Sequence, residues 1–199
     1  STADARAIAD LGFNVVRLGI LWQGLEPGSG GPNNPEVCTP GRPADPHMYD
    51  RTTVRAYLQR VADVVDLLGR FHVYTLLDMH QDVTNQLFRG EGTPAWAVCA
   101  GNNPLVGLPG RWSVNYRNPA LVEAVTHFWA NDVVGNLQGQ FDAVWGAVAK
   151  YFSHNQWIVG YDPYNEPFDR EVTLHETQVF ATLLECFYTG RAHPVSYTH

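Results

Sequence analysis

Residues 157–167 read Trp157-Ile158-Val159-Gly160-Tyr161-Asp162-Pro163-Tyr164-Asn165-Glu166-Pro167. The stretch opens as a short apolar run, alternates aromatic with small residues, and ends in an amide, a carboxylate and a proline. A parallel strand covered on both faces has this near-continuous apolar character. The closing proline stops the ladder, because it has no N–H to donate. Asn165 and Glu166 are therefore expected on a rim where a strand's carboxyl end opens into a loop, the place where closed α/β barrels carry their chemistry. A solvated loop carboxylate is the plain alternative for Glu166, since most glutamates are exposed. The neighbouring elements must decide between the two.

Two earlier segments have strand character as well. Phe13 to Leu21 is β-branched and apolar, too short for a typical helix, and interrupted by Arg17; Phe71 to Leu77 follows the same pattern and runs into Asp78-Met79-His80-Gln81-Asp82. Helices separate them. Ala3 to Leu11 is alanine-rich and closes on Gly12. Asp50 is placed to cap a helix whose apolar residues Val54, Tyr57, Leu58, Val61, Val64, Val65 and Leu68 recur at three and four, with Gly69 closing it. Asn118-Pro119 is a cap and first-turn pair for a helix through Trp129. A further stripe of Leu137, Phe141, Val144, Trp145, Val148 and Phe152 predicts another, and an amphipathic segment from Leu174 to Tyr188 a last one. Glycine- and proline-rich loops occupy Gln23 to His47 and the residues from Asp82 to Arg117.

This order of elements implies βα units around a parallel sheet. A Rossmann-like sheet would carry a glycine-rich phosphate turn after its first strand, and none follows Leu21. The expected fold class is therefore α/β, a partial (β/α)8 barrel with long loops on its carboxyl face. A complete barrel takes about 250 residues. The chain's 199 residues and three strands are expected to form a single domain, a contiguous part of a barrel lacking a strand before Gly12 and several after Tyr188.

Composition narrows the partners. With a formal net charge of -7 and no run of Lys or Arg, the chain is not expected to bind nucleic acid. No apolar run approaches the roughly 18 to 20 residues that span a bilayer, and the first residues lack the basic and apolar regions of a signal peptide. The three cysteines have no zinc-site spacing. Cys38 and Cys99 both fall in long loops, where a bridge between them and reduced thiols are equally open readings, and Cys186 is expected to pack in a helix. Nothing in the composition sets an oligomeric state.

The polar residues at the strand ends form one constellation if the strands are neighbours. Arg17 sits within the first strand, Asp78 and His80 at the end of the second, Asp82 just beyond, and Asn165 with Glu166 on the third. Arg17 is also readable as a buried partner for Asp78. His80 is readable as a core histidine bonded to backbone, or as a metal ligand with Asp82. Trp22, Trp96, Trp112, Tyr161 and Tyr164 pack loops by default, but a rim of aromatic faces also suits sugar rings. The combination favours a carbohydrate cleft.

At these residues the chain resembles glycoside hydrolase family 5, a retaining (β/α)8 family, and within it the endoglycoceramidase branch. The resemblance rests on Gly12-Phe13-Asn14-Val15-Val16-Arg17-Leu18-Gly19, Leu77-Asp78-Met79-His80-Gln81-Asp82, Gly90-Glu91-Gly92-Thr93-Pro94-Ala95-Trp96-Ala97-Val98, Asn118-Pro119 with Phe128-Trp129, and Asn165-Glu166-Pro167. It implies that Glu166 is the general acid/base and that Asn165 holds the sugar's 2-hydroxyl. It further implies that His80 and Arg17 order the floor of the site, that Asp78 and Asp82 lie near the glycone, and that Trp22 joins the substrate-binding set. The implied substrate is an oligosaccharide or glycolipid, cleaved next to a lipid aglycone, with transient contact to a membrane surface through that lipid. No cofactor and no metal is implied, and the protein is expected to be secreted. A retaining enzyme needs a second carboxylate about 5 Å from the acid, and an acid whose pKa is raised by burial and nearby negative charge. After Glu166 the carboxylates Asp169, Glu171, Glu176 and Glu185 end no apolar strand, and Asp162 is too early and of the wrong strand alternation to serve. The nucleophile is accordingly expected outside this chain, and the 199 residues alone are expected to be inactive. Pro163 stands where relatives carry an apolar residue, and Arg191 to His199 matches nothing recognisable.

Overall fold

A computed structural model describes residues 1–28, 30–34, 38, 50–131 and 136–168. The expected helix at Leu174 to Tyr188, Cys186, the late carboxylates and the Arg191–His199 tail lie outside the described residues. Among the described residues no helix is long and apolar enough to cross a membrane.

Helix α1 (Thr2–Asp10) begins on a capping box in which the Ser1 and Asp4 side chains each satisfy the other's backbone, and it ends before Gly12, whose φ of +86° suits a residue without a Cβ. Strand β1 (Val15–Ile20) follows, then a single helical turn, α2 (Trp22–Leu25), at the start of what reads as loop from the sequence. Helix α3 (Thr52–Gly69) buries Val54, Leu58, Val61, Val65 and Leu68 on one stripe, each such side chain stabilising by about 1.5–3 kcal/mol. Its cap differs from expectation. Arg51, not Asp50, is the N-cap residue and supplies no side-chain cap bond; its guanidinium instead reaches the buried Glu26 carboxylate at 2.9 Å.

Strand β2 spans Tyr74–Met79, three residues later than Phe71 and two later than Leu77. The shift has a local cause: α3 continues to Gly69, and the turn after it, with His72 in the left-handed region at φ +59°, uses residues 70–73. Helix α4 (Pro119–Ala130) starts as expected, with Asn118 accepting from Ala120 N–H and proline in the first turn; α5 (Leu137–Phe152) and β3 (Ile158–Asp162) follow. Between β2 and α4 the chain is irregular apart from 3₁₀ turns at Gln86–Phe88, Ala95–Ala97 and Trp112–Arg117.

The three strands form one parallel sheet in the order β1-β2-β3. Residues of α2, α3, α4 and α5 form the main core with Ile20, Leu77 and Met79. A second cluster under the loops joins Val83, Phe88, Val98 and Ala100 to α4. The register sets Gly19 beside Asp78 and Asp78 beside Asp162, so one level of the sheet carries three positions at its carboxyl end. The loops after β1 and β2 are tied together by the Cys38–Cys99 disulfide, across 61 residues, and by Asn33, which bonds both Ala100 N–H and the Gly101 carbonyl. The open choice between bridge and thiols is thereby decided.

Candidate active site

The carboxyl end of the sheet gathers five of the expected residues. Arg17 Nε stands 3.0 Å from Asp78 Oδ2, its Nη2 donates to Asn165 Oδ1 at 2.6 Å, and its Nη1 is 3.9 Å from Asp162 Oδ2. Asp78 is 1% exposed. His80 Nδ1 lies 2.8 Å from the same Asp78 oxygen. Arg17 Nη2 also lies 3.4 Å from this nitrogen, and we assign the Nδ1 proton from the shorter contact with the carboxylate. The other nitrogen, Nε2, then faces Asp82 Oδ2 at 3.5 Å. Gly19 supplies the room: a Cβ there would stand 3.3 Å from the His80 Cβ. Arg17 pairs with Asp78 as expected, but it is not buried: its side chain is 47% exposed and also reaches Asn165.

Asn165 and Glu166 lie beyond the end of β3, not on it. The ladder stops at Asp162, as Pro163 requires, and beyond it the backbone groups of Pro163, Asn165, Glu166 and Phe168 are held by side chains and by β2. Trp145 Nε1 donates to the Pro163 carbonyl at 3.0 Å, Asn165 N–H to the Met79 carbonyl at 3.0 Å, and Trp129 Nε1 to the Phe168 carbonyl at 2.8 Å. Gln81 is the central clamp. Its amide donates to the carbonyls of Asn165 and Glu166, its oxygen accepts from Thr84 N–H, and its own carbonyl receives the Asn165 amide. Gln81 belongs to the Leu77–Asp82 segment but carries no sequence signal of its own, because a polar residue just past a strand has no spacing signature; its burial between two loops is a tertiary fact.

Glu166 differs from this floor. Its φ is +41°, its side chain is exposed, and its carboxylate has no hydrogen bond or ion pair among the described residues. The burial expected around an acid/base carboxyl is not supplied by the described residues. Near it is a further group that sequence reading missed, Tyr116, whose ring packs edge-on against Phe168 with centroids 4.7 Å apart. Burial pushes the Tyr116 phenol up from its ordinary pKa; the Val83 backbone opposes this, and the charges of Asp82 and Glu166 reinforce it. That backbone group is close, but the buried hydroxyl forms no hydrogen bond of good geometry. Tyr164 is lodged deeper, stacked on Phe128 at 5.7 Å, and burial raises its phenol much further despite a bond to the Thr93 side chain.

Two expectations need correction. Trp22 does not line a rim: it is 2% exposed, packed edge-on to Trp96 and Phe141, with its indole N–H on Glu26. Trp96 is buried beside it and donates to the Glu26 carbonyl. An indole has an apolar body that serves a core as readily as a sugar face, and here the core takes it. Asp162, read as being of the wrong alternation, faces the floor beside Arg17. An irregularity between β2 and β3 at Thr75/Leu76 shifts the register by one and so sets Asp162, not Tyr161, beside Asp78.

His80, Asp82 and the exposed Glu91 bring one potential ligand atom each within 4.8 Å of one another, because Asp82 and Glu91 pair through a two-way backbone bridge at 3.0 and 2.9 Å. This is the group among the described residues with the donors to hold a cation. The same donors also suit sugar hydroxyls.

A parallel sheet with helices packed against it and a charged, hydrogen-bonded cluster at its carboxyl end defines the α/β-barrel class of enzyme domain. The family model described as Cellulase (glycosyl hydrolase family 5) matches residues 1–189, and the chain belongs to that family. It is 29% identical over 191 residues to an endoglycoceramidase of Cyanea nozakii, covering 86% of this chain and 34% of that protein. It is 30% identical over 162 residues to endoglycoceramidase I of Rhodococcus hoagii (strain 103S), covering 79% and 27%. The structure of endo-glycoceramidase II from Rhodococcus sp. in a cellobiose-like imidazole complex superposes with a TM-score of 0.68 at 33% identity, covering 86% of this chain and 36% of that one. The fold is a partial (β/α)8 barrel, and the chain spans about a third of the length of the relatives it matches.

Proposed function

We propose that the protein to which these residues belong is a retaining β-glycoside hydrolase that cleaves between a glycan and a ceramide-type lipid. The observation that carries the reading is the clamping of the Asn165-Glu166 backbone by Gln81 directly above the Arg17–Asp78–His80 floor. Glu166 is the general acid/base, placed by its backbone with a side chain free to meet a leaving-group oxygen. Asn165, oriented by Arg17, takes the sugar's 2-hydroxyl, while Asp78, His80 and Asp82 shape the glycone end. Support for a glycolipid comes from the endoglycoceramidase relatives, one of which is known as a ganglioside GM3 complex. Support for a covalent route comes from the lactosyl-enzyme intermediate of a relative. The step this implies is attack by a second carboxylate about 5 Å from Glu166 as Glu166 protonates the departing oxygen, followed by hydrolysis with Glu166 as base. No metal takes part, so chelators leave turnover unchanged. The Cys38–Cys99 bridge supports a secreted protein, since such bridges persist in oxidising compartments.

Glu166→Gln in the whole protein tests the assignment. Hydrolysis of glycosylceramide, whose alkoxide is a poor leaving group, falls by about 10²–10⁴, and hydrolysis of an activated aryl β-glycoside falls far less. Equal loss on both substrates would count against the acid role. The 199-residue chain by itself is proposed to show no turnover of either substrate. A β-xylosidase and an ergosteryl-β-glucosidase are also among the relatives, so a second family 5 specificity is separated by comparing ceramide, sterol and oligosaccharide aglycones.

A further inference from the structure

The loop between the Ala95–Ala97 turn and α4 is built in an unusual way. Its backbone is pinned from below by buried or engaged polar side chains: Asn118 donates to the Val106 carbonyl at 2.7 Å, Asn115 accepts from Leu108 N–H at 2.7 Å, and Arg89 donates to the Gly110 carbonyl at 2.8 Å. Asn115 and Asn118 are themselves buried. Three pinned carbonyl and amide groups make the loop an ordered platform, not a wandering one. Yet its outward side chains are apolar: Val106 is 60% exposed, Trp112 45% and Val114 36%. Holding apolar groups rigidly in water is unfavourable without a partner.

Charge indicates which partner. Residues 92–122 contain no Asp or Glu and include Arg111 and Arg117, in a chain whose net charge is -7. Arg89 is taken up by the loop's own carbonyls, while Arg111 pairs with no carboxylate among the described residues. An exposed tryptophan and aliphatic side chains beside Arg111, with acidic residues excluded, match the chemistry of an anionic lipid surface: the apolar groups enter the headgroup boundary and Arg111 meets phosphate. The platform is also on the rim of the candidate site, because Tyr116 at its end packs on Phe168 and feels the charges of Asp82 and Glu166.

The geometry points to the loop around Val106, Arg111, Trp112 and Val114 as a docking surface for an anionic lipid bilayer, which brings the mouth of the site to substrate held in that bilayer. It rests on the glycolipid reading for its purpose, but it is tested without turnover. Flotation of the full chain with vesicles of phosphatidylcholine alone, or of equimolar phosphatidylcholine and phosphatidylglycerol, should show binding to the anionic vesicles. Trp112→Ser combined with Val106→Ser should weaken that binding about tenfold or more. Arg111→Ser should weaken it about fivefold. Val159→Ser, which alters an equally exposed apolar residue at the sheet edge, should leave it unchanged, as should Glu166→Gln, so that failure here is separable from failure of the acid/base assignment. Near-ultraviolet circular dichroism verifies that each variant is folded. Absence of binding to anionic vesicles overturns the proposal, as does an equal loss with Val159→Ser. Concentration-dependent dimerisation abolished by Val106→Ser would assign the surface to a second copy and overturn it too.

Discussion

The two sides of the candidate site are held by opposite means. The floor of Arg17, Asp78, His80 and Asn165 is closed by short bonds between side chains, with Asp78 buried beneath them. Glu166, one residue further on, is fixed only through its backbone and holds an exposed side chain at φ +41°. A floor serves by not moving, and its side chains bond one another through Asp78 Oδ2 and Asn165 Oδ1, while Asp78 Oδ1 is buried without a hydrogen bond. A proton donor must meet a partner that arrives with substrate. On the acid/base role proposed for Glu166, an unengaged carboxylate leaves its oxygens open to such a partner. Strain at such a position is tolerated because the surroundings, here Gln81, Trp145 and Trp129, over-determine the backbone.

The contrast can be broken from either side. The largest effect belongs to the frame around the floor. Replacing Cys38 and Cys99 by serine releases a loop spanning 61 residues and should lower unfolding free energy by about 4 kcal/mol on the chain-entropy account, read by urea unfolding of the full chain. Asp78→Ala comes next. It strips Arg17 and His80 of their shared acceptor and should cost about 3 kcal/mol, the lower end for a broken buried pair because Arg17 is half exposed. An unchanged midpoint would mean that the floor is not held by this ion pair. The smallest effect has the opposite sign. Glu166→Gly removes a side chain from a left-handed position and should raise stability by about 1 kcal/mol, while the whole protein loses hydrolysis of glycosylceramide. If Glu166→Gly destabilises the chain, the side chain makes a contact beyond the described residues and the contrast fails.

Much of this arrangement is legible before any folding. The Asn118-Pro119 start, the α5 stripe and the βα order depend on capping and periodicity, which are local, and they appear where expected. The floor residues are legible because charged and amide groups at the ends of apolar strands are conspicuous. Trp22, Gln81 and Asp162 are not, each for its own reason. An indole's destination depends on what surrounds it. A clamp such as Gln81 exists only when two loops 84 residues apart meet. Alternation along β3 does not say which of its residues stands beside Asp78, because the ladder slips at Thr75/Leu76.

The amino-acid sequence by itself determined helices α1, α3, α4 and α5, the parallel character of the sheet, the family resemblance and the identity of the polar residues at the strand ends, because short-range propensity and hydrophobic period decide those. Only the tertiary structure decided which indoles are core, which cysteines join, that Asp162 faces the floor, and that the Glu166 side chain has no partner among the described residues. Those outcomes depend on contacts between residues far apart in the chain, where burial and register set the energy and local pattern has no hold.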